Sequence, residues 1–175
     1  MPTHMELVLQ AAAFAAEKHR LLKRKDAEAS PYINHPIQVA YILVQADVED
    51  PVVLASALLH DTIEDTETTH DELEIVFGHE IANIVVECSD NKSLTKLERK
   101  QAQIDHAAHL STRAKLVKIA DKISNVSDID GAPPAGWSLE RKREYYDWAK
   151  RVVDQMRGVH SKLEARFDAE YAKRP

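Results

Sequence analysis

Apolar residues recur every three to four positions through almost the whole chain, and this helical spacing constrains the fold more than any other feature. The chain has 175 residues but only four glycines, too few for the tight turns of a hairpin-rich sheet. Its clearest break is the segment DGAPPAGW at 130–137. No repeat or linker divides the rest. We therefore predict a single all-α domain over residues 1–175, a bundle of roughly eight to ten helices.

Proline and aspartate mark where two of these helices begin. Asp50 followed by Pro51 is typical of an N-cap and first helical residue. Pro36 can open an earlier helix, because the first helical position loses no useful hydrogen bond there. The predicted apolar face of that earlier helix comprises Ile37, Ala40, Tyr41 and Val44.

The composition excludes several classes of function. Lysine and arginine number 23 against 29 acidic residues, so the net charge of −6 argues against a nucleic-acid binder. No apolar run is long enough for a membrane span, and the N-terminus lacks a leader pattern. We expect a cytoplasmic protein without nucleic-acid or membrane partners. The single cysteine, Cys88, cannot form an internal disulfide and is expected to be a buried helical residue.

The segment ALLHDTIEDT at 57–66 ends an apolar helix with four ionisable groups. His60 and Glu64 are four apart and share a face, and Asp61 and Asp65 lie on the neighbouring strip. Such a cluster is costly if it is buried without partners. A divalent cation removes that cost, and imidazole with carboxylate suits Mn, Fe, Zn, Ni or Co.

Two further segments supply candidate ligands. His35, in PYINHPIQVA, precedes a predicted helix start, where its side chain can point into a cleft. Asp121, in KLVKIADKISN, interrupts the apolar face of a helix and is not explained as a solvated residue. Asn125 is four residues after Asp121 and points the same way.

The order His35, His60-Asp61 and Asp121 resembles the signature of HD-domain metal-dependent phosphohydrolases. LKRKD, PYINHP, ALLHDTIEDT, DNKSLTKLERK, AKLVKIADKISN and GWSLERKREYYDWA occur in the order found in small alarmone hydrolases. These are stand-alone relatives of the hydrolase half of the RelA/SpoT enzymes. The similarity covers about residues 5–160, nearly the full chain.

This resemblance implies a catalytic metal site. In the family, four ligands hold one Mn²⁺, and the matching residues here are His35, His60, Asp61 and Asp121. The family's paired acids match Glu64 and Asp65. These two are expected to orient the attacking water, accept its proton or hydrogen-bond a metal ligand.

The resemblance also implies a small-molecule nucleotide substrate, guanosine tetraphosphate or pentaphosphate, hydrolysed at its 3′ pyrophosphate to GDP or GTP. The arginine that stacks on guanine in the family matches Arg24, and Lys25 lies beside it. Asn125 and Tyr145 match family positions that line the nucleotide pocket.

Several basic residues are not assigned by the resemblance. Lys118 and Lys122 flank Asp121 and either reach phosphates or pair with surface acids. A second cluster is either a solvated helix face or a phosphate contact; it comprises Lys92, Lys96, Arg99 and Lys100. Two positions depart from the family pattern, Asn91 where an aspartate is usual and Ser127 where an arginine is expected.

Three alternatives stay open at this point. The same metal core serves a phosphatase that removes the 2′ phosphate of NADPH. A nucleotide-binding regulator without catalysis is a second alternative, and a purely structural helical domain is a third. The sequence does not indicate the oligomeric state.

Overall fold

The computed structural model describes residues 2–175, which form ten α-helices and no β-strand within that range. The all-α prediction is confirmed. The fourth helix is a single turn of four residues. The helices are α1 (His4–Lys18), α2 (Asn34–Gln45), α3 (Pro51–Leu59), α4 (Thr62–Asp65), α5 (His70–Phe77), α6 (His79–Cys88), α7 (Lys96–Ala107), α8 (Thr112–Gly131), α9 (Leu139–Asp154) and α10 (Ser161–Tyr171).

Side-chain caps fix the starts of most of these helices. The Asp50 carboxylate accepts the amide hydrogen of Val52 at 2.9 Å, so Asp50 and Pro51 open α3 as predicted. Thr69 caps α5 by accepting the amide hydrogen of Glu72. Each such cap stabilises a helix by about 1 kcal/mol. Helix α2 differs from the prediction because it begins at Asn34, two residues before Pro36, and has no side-chain cap.

The two helices that carry the predicted metal ligands lie deepest in the fold. Helix α3 is buried over Ala55–Leu59 and packs against α1, α2, α6 and α8. Helix α8 packs against α2, α3, α6, α9 and α10, and its buried face includes Ile119, Ala120 and Ile123. Close packing on several sides leaves both helices little freedom to shift. Side chains at their ends or centres are therefore held in fixed positions.

The apolar face predicted for α2 is wrong. Val39, Ile42 and Leu43 are the buried residues, together with His35 and Pro36. Ile37, Tyr41 and Val44 are about half exposed, and Ala40 is partly buried. Apolar residues occur all around this helix, so spacing alone permits two stripes. The stripe that contains His35 packs against α3 and α8, and this orientation brings His35 to the site described below.

Two apolar clusters form the core. One lies between α1, α3, α5 and α6, and the other is centred on α8, α9 and α10. Ala40 and Val52 pack against both clusters and connect them. Continuity of this kind is expected of one domain, although the single-domain division of residues 1–175 stays a prediction. Within residues 2–175, every helix is too short or too polar to cross a membrane.

Candidate active site

The His60-Asp61 pair lies in the short break between α3 and α4. Helix α3 ends at Leu59, whose carbonyl accepts a hydrogen bond from the buried Thr62 hydroxyl at 2.7 Å. The Asp61 carbonyl then accepts the amide hydrogen of Asp65 and starts the single turn of α4. His60 and Asp61 keep near-helical dihedral angles through this break. The pair is thereby fixed at the end of a buried helix.

The structure brings together all four side chains that the sequence analysis assigned to a metal. Nε2 of His35 lies 3.0 Å from Oδ1 of Asp121 and 3.6 Å from Oδ2 of Asp61. Nε2 of His60 lies 3.1 Å from Oδ2 of Asp61 and 3.5 Å from Oδ1 of Asp121. Two imidazole nitrogens and two carboxylate oxygens thus converge from α2, α3 and α8.

The hydrogen bonding of His60 tests whether this cluster suits a cation. Its Nδ1 atom lies 2.7 Å from the carbonyl oxygen of Ala57, to which only an N–H group can donate. In the neutral ring, Nε2 then carries a lone pair. That atom is buried and makes no well-aligned hydrogen bond, although Oδ2 of Asp61 lies 3.1 Å away. A lone pair facing two carboxylate oxygens is the donor set that a divalent transition metal requires, so these residues fit a metal ion.

Burial and the close approach of the four side chains shift their pKa values. Burial lowers the pKa of His60, but Asp61 and Asp121 outweigh it and raise that pKa well above its usual value. Burial raises the pKa of Asp121, but Lys122 and the two histidines hold it well below its usual range. The pKa of Asp61 is also lowered, because His60 and His35 outweigh its burial. The two carboxylates are therefore ionised, and they favour a proton on His60 when no metal ion is bound; a bound metal ion takes the place of that proton and leaves the ring neutral.

Neighbouring side chains orient the ligands. The Ser124 hydroxyl lies 3.1 Å from Nδ1 of His35. On Asp121, Asn125 donates to Oδ1 at 2.8 Å and Lys122 donates to Oδ2 at 3.1 Å. Such partners fix the direction of a ligand's lone pairs and are characteristic of metal sites.

Tyr32 is a member of the site that the sequence analysis did not identify. Its hydroxyl lies 2.7 Å from Oδ2 of Asp61 and 2.9 Å from Oδ2 of Asp65, and it donates its hydrogen to one of them. Burial and these two acids raise the pKa of Tyr32 above its usual value, so the phenol keeps its hydrogen. The only signal in the sequence was its position three residues before His35.

Glu64 and Asp65 lie beside the ligands. One carboxylate oxygen of each lies within 4.8 Å of the other and of an oxygen of Asp61. The amide of Asp90 donates to Oε1 of Glu64 at 2.6 Å, and Lys92 pairs with Asp65 at 3.3 Å. Burial raises the pKa of Glu64 to about 7, despite the opposing effect of the Asp90 hydrogen bond. Glu64 can therefore exchange a proton near neutral pH.

The four candidate metal ligands face a cleft with a volume of about 750 Å³. All four predicted substrate contacts line it, namely Arg24, Lys25, Asn125 and Tyr145. The guanidinium group of Arg24 lies 5.6 Å from the centre of the Tyr32 ring and donates to Asp128 at 2.7 Å. The ring of Tyr145 packs between Trp137 and Trp148, at centre-to-centre distances of 5.8 and 5.2 Å. The cleft thus combines the fixed guanidinium group of Arg24 with an aromatic wall.

The unassigned basic residues divide into three groups. Lys96, Arg99 and Lys100 line the cleft, whereas Lys92 is half exposed and pairs with Asp65. Lys118 and Lys122 are buried, also line the cleft and do not pair with surface acids. Lys118 donates to the carbonyl of Cys88 at 2.9 Å. Cys88 is itself buried, and burial raises the pKa of its thiol to about 11, which agrees with the predicted structural role.

The two departures from the family pattern have different consequences. The Asn91 side chain accepts hydrogen bonds from the amide and hydroxyl of Ser93, at 3.0 and 2.7 Å, and so holds a surface turn. Ser127 lines the cleft, where an arginine would add a cation. Asn91 therefore leaves the four candidate metal ligands unchanged, and Ser127 makes the cleft less basic.

Comparison with known proteins places these features in a family. The chain matches the HD domain family over residues 11–147. It is 51% identical to the guanosine-3′,5′-bis(diphosphate) 3′-pyrophosphohydrolase MESH1 of Xenopus tropicalis, with 96% of this chain and 94% of that protein aligned. It is 52% identical to the human MESH1 of the same name, with 90% of this chain and 88% of that protein aligned.

A solved structure gives the same result. A protein described as a metazoan ortholog of SpoT that "hydrolyzes ppGpp and plays a role in starvation responses" superposes with a TM-score of 0.94. The two are 43% identical, and the superposition covers 99% of this chain and 97% of the other. The chain therefore belongs to the HD domain family and, within it, groups with the MESH1 proteins.

Proposed function

We propose that this protein is a metal-dependent guanosine-3′,5′-bis(diphosphate) 3′-pyrophosphohydrolase. One observation carries the proposal: two buried imidazole nitrogens and two carboxylate oxygens converge at the floor of a basic and aromatic cleft. The relatives named for this reaction align with nearly the whole chain. The reaction adds water to the phosphorus bonded to the ribose 3′ oxygen and releases pyrophosphate and GDP or GTP.

His35, His60, Asp61 and Asp121 would hold the metal ion. Bound there, a divalent ion lowers the pKa of water and polarises a phosphoryl oxygen. We propose Mn²⁺ as that ion, because the family resemblance points to it and the mixed nitrogen and oxygen set accepts it. The same set also accepts Fe, Zn, Ni and Co. A comparison of turnover after reloading metal-free protein with each ion in turn identifies the ion that supports catalysis.

Glu64 and Asp65 are proposed as the catalytic carboxylates. Glu64 has one oxygen fixed by the Asp90 amide and a pKa of about 7, so it can accept a proton from the attacking water. Asp65 shares the hydroxyl of Tyr32 with Asp61 and pairs with Lys92. Asp65 is therefore suited to orienting Asp61 and the attacking water.

The cleft suits a guanine nucleotide with several phosphates. We propose that the guanine stacks on the Arg24 guanidinium, whose hydrogen bond to Asp128 fixes its plane. Lys25, Asn125 and Tyr145 complete the nucleotide contacts, and Tyr145 adds an aromatic surface. The net charge of the protein is negative, but Lys96, Arg99 and Lys100 place cations where the phosphates enter. We assign these three to phosphate contact.

One experiment tests the function directly. Purified protein is incubated with guanosine tetraphosphate and Mn²⁺, and the products are resolved by ion exchange. We expect GDP and pyrophosphate in equal amounts, and none from an Asp61→Ala variant. Tight nucleotide binding without pyrophosphate release would instead indicate a non-catalytic regulator. A parallel incubation with NADPH tests the 2′-phosphatase alternative, which predicts inorganic phosphate as the product. The cytoplasmic location expected from the sequence stays a prediction.

A further inference from the structure

A second group of metal-ligating side chains lies at the corner between α5 and α6, and it shares no residue with the candidate active site. His70, Glu74 and His79 each place one ligand atom within 4.8 Å of the others. His70 and Glu74 are four apart on α5 and share a face. His79 is the first residue of α6 and follows Gly78, whose φ of 88° turns the chain sharply between the two helices.

The arrangement is a closed ring of polar contacts. Nδ1 of His79 lies 3.1 Å from Oε1 of Glu74, and Nδ1 of His70 lies 3.5 Å from Oε2 of the same carboxylate. Asn83 closes the ring from the other side, with its amide 2.9 Å from Nε2 of His70 and 2.8 Å from Nε2 of His79. Both imidazoles thus direct Nδ1 to one carboxylate and Nε2 to one amide.

The contacts of His70 are those that metal-binding histidines show. Each ring offers one nitrogen towards a shared position, while the other nitrogen is held by a polar partner that fixes the ring's orientation. Asn83 Oδ1 is such a partner, an acceptor for Nε2–H of His70, whereas Asn83 Nδ2 donates to Nε2 of His79, so exposed His79 binds an ion through Nδ1 once it exchanges this amide contact for water. Asp71 adds a second carboxylate 3.5 Å from Nδ1 of His70. A surface ion pair needs only one histidine and one acid, so the convergence of both rings on Glu74 requires a further explanation.

We propose that His70, Glu74 and His79 form a second metal site that binds Zn²⁺ or a similar borderline ion and clamps the α5–α6 corner. Two imidazoles and one carboxylate favour Zn²⁺, Ni²⁺ or Cu²⁺ over Mg²⁺ and Ca²⁺, which prefer oxygen ligands. The three side chains are between 33% and 70% exposed, so an ion enters without unfolding the protein. The proposal is independent of the function assigned to the cleft.

The clamp has a structural consequence. Helix α5 follows the turn that carries Glu64 and Asp65, and α6 leads into Asp90, whose amide holds Glu64. A metal bound at the corner joins the two helices that flank this contact. Because the ion binds the folded arrangement and not the unfolded chain, it raises the stability of the fold by mass action.

The test measures Zn²⁺ bound by metal-free protein in equilibrium dialysis. Wild-type protein is compared with Glu74→Gln, which keeps the hydrogen-bonding shape but loses the anionic ligand, and with His79→Ala. Exposed His109 lies on a different segment, and His109→Ala is the matched control. We expect both cluster variants to bind one equivalent less than wild type and the control to bind the same amount. Circular dichroism checks that all variants are folded.

Two further readouts locate the ion. Zn²⁺ should shift the imidazole resonances of His70 and His79, and it should raise the melting temperature of wild type by a few degrees more than that of Glu74→Gln. Turnover of Glu74→Gln with Mn²⁺ in the cleft should equal that of wild type. Equal Zn²⁺ uptake by wild type and both cluster variants would overturn the second site, whatever the activity of the cleft.

Discussion

Nε2 of His35 lies 3.0 Å from Oδ1 of Asp121, although 86 positions separate the two residues in the chain. The contact joins the start of α2 to the middle of α8 and brings one nitrogen and one oxygen ligand together. Both side chains are buried, so the cost of removing these polar groups from water must be offset by nearby interactions. A cation shared by His35 and Asp121 offsets it for both.

Replacing Asp121 with alanine should therefore remove the metal and the activity together. We expect metal content to fall below one tenth of an equivalent and turnover to fall by at least about 100-fold, since even outer partners of a metal are worth that much. The helical content should persist, because the apolar neighbours of Asp121 on α8 are unchanged. Metal analysis, turnover and circular dichroism measure these three outcomes. Asp130→Ala, on an exposed part of the same helix, is the control and should behave as wild type.

Tyr32 should act on the metal through Asp61 and Asp65. Tyr32→Phe keeps the ring that packs beside His19 but removes the hydroxyl that reaches both acids. We expect metal affinity to fall by about 10- to 100-fold, with kcat recovering when excess metal is supplied. Tyr41→Phe is the matched control, because Tyr41 is half exposed on α2. An unchanged metal affinity in Tyr32→Phe would show that the hydroxyl does not orient the ligands.

The sequence predicted the parts of this site that depend on residue type and on a local pattern. An aspartate within an apolar helical face and a His-Asp pair at the end of an apolar helix are costly unless they have a function, so Asp121, His60 and Asp61 were identifiable. The cap of α3 was predictable for a similar reason, since Asp50 satisfies an amide only two residues away.

Contacts between distant segments were not predictable in this way. The ion pair between Arg24 and Asp128 spans 104 positions, and neither residue has an unusual local context. The buried face of α2 was mispredicted because that helix is apolar all around, and its orientation is decided by packing against α3 and α8. Tyr32 was missed because a tyrosine in a loop is ordinary until the fold places Asp61 and Asp65 beside it.

Arg24 should contribute to nucleotide binding and not to metal binding. Arg24→Ala removes the proposed stacking plane, and a base stacked on a side chain is worth about 1–3 kcal/mol, so KM should rise by about 5- to 150-fold. Arg24→Lys should restore little of this loss, because an ammonium group has no plane to stack. Steady-state kinetics and metal analysis separate the two effects.

Asp128 provides an internal check on this role. Asp128→Asn leaves Arg24 in place but weakens the ion pair that fixes its guanidinium group. A smaller rise in KM than that of Arg24→Ala is expected, with unchanged metal content. Arg20→Ala, at an exposed position on the preceding turn, is the control. If KM were the same in Arg24→Ala and wild type, the guanine would have to bind elsewhere in the cleft.

Glu64 makes the stability of the metal-free protein depend on pH in a specific direction. Its pKa is 4.5 in an unconstrained chain and about 7 in the fold, where burial disfavours the charge. A pKa raised by folding contributes stability that is full below pH 4.5 and is lost as pH rises through about 7. The whole difference corresponds to about 3 kcal/mol.

Glu64→Gln should therefore be more stable than wild type above pH 7, by up to about 3 kcal/mol, and should lose this advantage below pH 4.5. Glutamine keeps an oxygen that accepts the Asp90 amide hydrogen, so the comparison isolates the charge. Urea unfolding in a chelator measures the difference across this range, and Glu67→Gln, at an exposed position on the following turn, is the control. Mn²⁺ should reduce the difference, because a nearby cation favours the carboxylate. Parallel stability curves for wild type and Glu64→Gln at every pH would contradict the raised pKa and, with it, the proposed role of Glu64 in proton transfer.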